Sequence, residues 1–161
     1  MTGITQIFGW HARLARALDH LRSLLLLGTR TWVAWQFLKS GWLKLTTWDV
    51  TLELFRSEYH APLLSPLAAA LLGTFGELCF PLLLLTGLFT RVGALGLSVV
   101  NVFAVVSYWH VLGSEGYEAA LGQHVLWGFM LAVIAVFGGG GLALDRWTAP
   151  RLQPAPSPAR A

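Results

Sequence analysis

Two ionisable residues stand where the surrounding sequence least accommodates them. Arg30 and Glu77 each interrupt a long apolar run. A charge at membrane depth costs several kcal/mol unless it is paired or faces a cavity. Counting along helices at 1.5 Å per residue puts Arg30 about 13 Å below Lys39 and Glu77 about 18 Å below Ser65, and it puts Asn101 about 13 Å from His110. Three polar groups from three successive apolar segments thus fall near one layer. This predicts an Arg30–Glu77 ion pair, with Asn101 as a hydrogen-bond partner. Pro81, four residues after Glu77, cannot bond the Glu77 carbonyl and predicts a kink there. Ala69, Gly73 and Glu77 share one helical face, with Gly76 beside them, and small residues of this kind let a neighbouring helix come close. On the first apolar segment Arg30, Phe37, Gly41 and Lys44 form a stripe from the buried layer toward the outer surface. Two readings of the pair stay open: a lock between two helices, or the lining of a cavity for a quinone headgroup or a proton path.

A second group of chemistry-bearing residues lies at the segment ends. His60, His110 and His124 fall at the same side by helix counting, with Glu58, Glu115 and Glu118 near in sequence. With Lys44 they make a candidate outer site. Three imidazoles completed by carboxylates suit copper or zinc, although no pair shows the i, i+4 spacing of helical ligands. A bis-imidazole haem between His110 and His124 is the less economical alternative. His11 and His20 belong to the opposite side. The single cysteine, Cys79, lies about 200° around the helix from Glu77 and points away from the charged layer; alone it supports no internal disulfide and no CxxC pair. Phosphate-binding glycine loops, HExxH and a nucleophile elbow are absent from the sequence.

The elements that would position these residues follow from composition. Apolar residues make up 55% of the 161 and charged ones only 12%, about half the charge of a soluble domain, and mean hydropathy is +0.61. With eight Trp and nine Phe besides, this is an all-α integral membrane protein. Its net charge of +3 is scattered, with no basic stripe for nucleic acid. A helix crossing a bilayer needs about 20 apolar residues. Four stretches qualify, at 22–43, 63–89, 92–112 and 119–137, predicting a four-transmembrane-helix bundle over 22–147. Residues 1–21 pattern as an amphipathic helix lying on the inner interface, the arrangement not being that of a cleaved signal peptide. Residues 48–56 suit a short helix on the outer surface. The proline-rich segment 148–161 reads as a disordered tail. Seven Lys and Arg on the side of the termini against three on the other place both termini in the cytoplasm.

These residues together resemble the DoxX family of small four-helix bacterial membrane proteins. The resemblance rests on Arg30 followed by Phe37-Leu-Lys-Ser-Gly41 and Lys44, on Pro62, on Glu77 followed by Leu85-Thr-Gly-Leu-Phe-Thr-Arg91, and on the glycine stretch leading to Leu142-Ala-Leu-Asp145. It spans about residues 22–147. The strings from Lys39 to Asp49 and from Glu58 to Pro62 resemble a branch encoded beside enzymes and carriers of copper-binding modified peptides. The resemblance implies a plasma-membrane subunit of a redox or copper-stress system, meeting quinone at the buried polar site, with other membrane or periplasmic proteins as partners. The alternative is a non-enzymatic transporter or scaffold for a copper-carrying peptide or metal ion. The small-residue faces permit a homodimer.

Overall fold

The computed structural model describes the backbone of residues 2–152 and the side-chain surroundings of residues 8–148 except 12 and 16. Among the described residues seven helices follow one another: α1 (Thr2–Thr46), α2 (Trp48–Ser57), α3 (Pro66–Thr86), α4 (Thr90–Ser107), α5 (Trp109–Leu112), α6 (Glu118–Phe137) and α7 (Asp145–Leu152). Among the described residues there is no strand. α1 packs against α3 and α6, and α4 packs against the same two, so four long helices close into a ring. α2 lies across the N-terminal part of α3. α3, α4 and α6 are each long and apolar enough to cross a membrane. The remaining expected span, 22–43, lies within α1, which carries Arg30, Gln36, Lys39 and Lys44 in its bundled half.

Local sequence explains the boundaries. Ser65 caps α3 by accepting a bond from the Ala68 amide (3.3 Å), with Pro66 at the first helical position. Gly87 ends α3 in the left-handed conformation (φ 70°), which glycine adopts without steric cost. The stretch expected as one span over 92–112 is broken at Tyr108 into α4 and α5. There the Ser107 carbonyl accepts a bond from the His60 amide (2.8 Å), tying the first outer connection to the end of α4. The short helix expected over 48–56 forms as α2, held over α3 by Phe55 packing on Ala69 and Ala70. Residues 148–152 of the expected tail continue α7; residues 153–161 lie outside the described residues.

The apolar core joins all four long helices. Val33, Ala34 and Phe37 of α1 meet Leu84 of α3, Ala94 and Leu97 of α4, and Leu131 and Ile134 of α6. Outward faces stay apolar: Phe75, Leu82, Val99, Val102, Phe129 and Val136 are exposed, as lipid contact demands and as water would not tolerate in so continuous a surface. α1 is unbroken across the boundary expected near residue 21, where a helix turning into the interface plane would need a kink. Its residues before Ser23 whose surroundings are described are exposed.

α1 and α3 come into tight contact at Gly41, where an added Cβ would stand 2.9 Å from the Glu77 Cβ and 3.0 Å from its carbonyl carbon. Gly28, on the same helix, has nothing within 4 Å. Gly41→Val is therefore expected to force the helices apart and cost about 1–3 kcal/mol, read as a lower Tm of the purified protein in detergent. Gly28→Ala should leave Tm unchanged or slightly raised. Equal effects of the two substitutions would refute the close contact.

Candidate functional site: a polar cavity between α1, α3 and α4

Gly41 sets the level at which α1 meets α3, and that level belongs to Glu77. Eleven residues separate Arg30 from Gly41, so Arg30 lies about 16 Å further along the bundle. The expected Arg30–Glu77 pair does not form. Instead Lys44 Nζ reaches back to Glu77, 2.5 Å from Oε1 and 2.6 Å from Oε2, and also donates to Ser40 Oγ at 3.0 Å. The helix-counting error has a physical origin. α3 starts about 16 Å above Gly41's level whereas α1 ends only about 8 Å above it, and α2 packs over the difference. Depth measured from Ser65 therefore began outside the plane where α1 ends.

The stripe Arg30, Phe37, Gly41, Lys44 does run along the α3-facing side of α1, but its two charges serve opposite ends. Arg30 is almost fully buried (1% exposed). Its Nη2 donates to the Leu142 carbonyl at 2.7 Å, while Nε and Nη1 have no hydrogen-bond partner. It packs under the turn after α3, where a Cβ on Gly87 or Gly139 would collide with the guanidinium or with Ala143. Asp145 completes this end: its carboxylate accepts the amides of Phe89 (2.7 Å) and Thr90 (2.9 Å), and its own amide donates to the Gly87 carbonyl (2.8 Å). Phe89 is left-handed (φ 50°), an uncommon conformation for a non-glycine residue, and these two bonds hold it there. The Gly-Leu-Phe-Thr-Arg turn and the Leu-Ala-Leu-Asp stretch are one structural knot, with Arg30 as its plug.

At the other end of the bundle lies a cavity of about 180 Å³. Its polar lining is Ser40, Lys44, Glu77, Ser107 and His124, and aromatic walls come from Phe55, Tyr59, Phe103 and Tyr108. The Ser107 hydroxyl is buried with no partner. Tyr59 and Tyr108 meet edge to face at 4.9 Å. Burial foremost, then the neighbouring Tyr108, Glu77 and Glu58, pushes the Tyr59 phenol above its ordinary range, so it stays a neutral hydroxyl at physiological pH. Asn101 is buried as expected, but its partner is His124: the amide Nδ2 donates to the His124 carbonyl (2.9 Å) and Oδ1 meets the imidazole Nδ1 (2.8 Å).

That clasp removes His124 from the outer trio. His60 and His110 do come together, with Nδ1 atoms 3.3 Å apart, and Tyr108 stacks edge-on against His110. Among the described residues no three His, Cys, Asp or Glu side chains form a group able to hold a metal ion. The structure therefore brings His60 and His110 of the expected copper or zinc trio together, and His124 is held apart from them by Asn101. The same contacts give His110 and His124 different Nδ1 partners, His60 and Asn101. Glu118 caps the Gly116 amide instead (3.1 Å). Tyr59, Tyr108 and Ser107 were not legible as site residues, because nothing in their own spacing shows that the first outer connection folds back onto the end of α4.

A closed bundle of lipid-facing helices with a polar cavity at one end is the architecture of an integral membrane protein. The DoxX family profile matches residues 25–110, more than half of the chain, and the chain belongs to the DoxX family. No curated protein and no solved structure matches it.

Breaking the ion pair from one side should be worse than removing it whole. Glu77→Leu leaves Lys44 uncompensated and is expected to cost roughly 3 kcal/mol, at the low end for a buried pair, because the Lys44 side chain keeps 21% exposure. Lys44→Met with Glu77→Leu should recover most of that loss, measured as Tm of the purified variants; an additive double variant would refute the pairing. Asp145→Ala, which strips the cap from two amides, is expected to cost about 1–2 kcal/mol, while Asp145→Asn should cost less.

Proposed function

We propose that the protein is a four-span subunit of a redox system in the bacterial plasma membrane, and that the cavity beside Lys44 and Glu77 receives the headgroup of a lipid-soluble quinone. α1 supplies the fourth span. Of its three bundled charges, Lys44 is accommodated by Glu77 and Arg30 by the turn after α3, while Lys39 is exposed on the helix surface, where a long Lys side chain can snorkel toward the interface. The seven-to-three distribution of Lys and Arg favours both termini in the cytoplasm, which makes the cavity end periplasmic.

The observation that carries this reading is the lining of the cavity. A dry cavity of about 150 Å³ is enough to hold one benzene ring, and this one is about 180 Å³. It combines flat aromatic walls with a few convergent polar groups, the pattern of small-molecule sites in general. Ser107 offers a hydroxyl that nothing in the protein satisfies, and buried polar atoms rarely go without a partner. Tyr59, Ser107 and His124 would hold the ring oxygens, and Phe55 and Phe103 would flank the ring. Such a group, when bound, supplies two-electron, two-proton chemistry. Lys44 and Glu77 hold opposite charges at the wall, which fixes the local field without leaving a net charge in the cavity.

Filling the cavity tests the assignment. Ala104, on α4, lines it, and Ala104→Phe should occupy the ring's volume. Binding of decylubiquinone to the purified protein in nanodiscs, followed by calorimetry, is expected to weaken at least about tenfold with Tm largely retained. Unchanged binding in this variant, or no binding to the wild type, would rule out the cavity as the quinone site.

A further inference from the structure

Asn101 fixes the chemistry that His124 offers to the cavity. Of the two ends of the Asn101 amide, only the nitrogen can donate to the His124 backbone carbonyl, at 2.9 Å. The oxygen must then face the imidazole Nδ1, at 2.8 Å. An amide oxygen accepts and never donates, so Nδ1 carries the ring proton. In the neutral imidazole the other nitrogen, Nε2, is then a bare lone pair. His124 lines the cavity, and with Nδ1 committed to Asn101, Nε2 is the ring nitrogen left for a ligand. Trp127 holds the imidazole edge-on at 4.9 Å, so the ring is positioned from two sides.

The other polar groups of the cavity complete the selection. Lys44 directs its ammonium at both Glu77 oxygens and at Ser40, leaving little for a ligand. The Ser107 and Tyr59 hydroxyls can each donate or accept and so do not discriminate. His124 Nε2 does: it can only accept. A carbonyl oxygen placed against it would set two lone pairs face to face, whereas a hydroxyl would donate to it.

We infer that the cavity selects the reduced, hydroxyl-bearing form of a ring ligand over its oxidised, carbonyl form, with His124 Nε2 as the hydrogen-bond acceptor and Asn101 as the positioning residue that keeps it one. The inference rests on the cavity being the ring site proposed above, and it adds which redox state that site holds. It concerns binding alone and requires no electron acceptor.

The test compares decylubiquinol with decylubiquinone, titrated anaerobically into the purified full chain in phosphatidylcholine nanodiscs, at a mildly alkaline pH where imidazole is neutral. An acceptor left unpaired in a buried site is worth about five- to a hundredfold in affinity, so the quinol is expected to bind at least about tenfold more tightly. His124→Phe keeps a ring in place but removes the acceptor, and should bring the ratio of the two affinities close to one. Equal affinities in the wild type overturn this inference while leaving the ring site standing. Detectable binding of neither form overturns both. A ratio that survives His124→Phe assigns the selection to another residue and overturns the role given to His124. Should that variant fail to fold, the wild-type ratio decides alone.

Discussion

A carboxylate held between two helices inside a lipid-facing bundle has to be neutralised from within the protein, and Lys44 is the group that does so. The contact depends on Gly41, because only a residue without a side chain lets α1 come near enough to α3 for Lys44 to fold back onto Glu77. Everything at the cavity end follows from that approach. α3 overhangs α1, α2 fills the overhang through Phe55 against Ala69 and Ala70, and the connection after α2 brings Tyr59 and His60 against the end of α4. The cavity is the space these pieces leave. Its charges are matched at the wall, and its interior presents hydroxyls and an imidazole rather than ions.

The Arg30 end is organised by a different logic. There a cation, Arg30, is buried without a carboxylate bonded to it, and its guanidinium is surrounded by backbone at Gly87, Gly139 and Leu142. Glycine is required at 87 because the chain is left-handed there and because any side chain would occupy the space of Arg30 Nη1. Asp145 spends its two oxygens on the amides that open α4. The two ends thus divide the work: one rigid and backbone-filled, the other polar and hollow.

Fold class was legible in the sequence because lipid exposure leaves a plain record in composition and run length. The apolar stretches 63–89 and 119–137 map onto α3 and α6 with small changes at their ends, and the short amphipathic piece at 48–56 maps onto α2. The burial of Arg30, Glu77 and Asn101 was legible for the same reason, since a charged or amide group inside an apolar run has few other places to go. Their partners were not. Pairing depends on the relative height of two helices, which is set by the Gly41 contact and by α2, and neither is written in the spacing of the paired residues. The break at Tyr108 escaped for a related cause: the run 92–112 is mostly apolar and free of proline, and at its interruption the Ser107 carbonyl takes a backbone bond from His60 in another connection.

α1 has one more property whose effect reaches beyond the site. Forty-five residues in a single helix amount to roughly 68 Å at the α-helical rise, more than twice the thickness of a hydrocarbon core. Its last turns carry Lys44, and its residues before Ser23 whose surroundings are described are exposed. The two are parts of one continuous helix, so the half outside the bundle and the wall of the cavity are joined by an uninterrupted run of backbone hydrogen bonds.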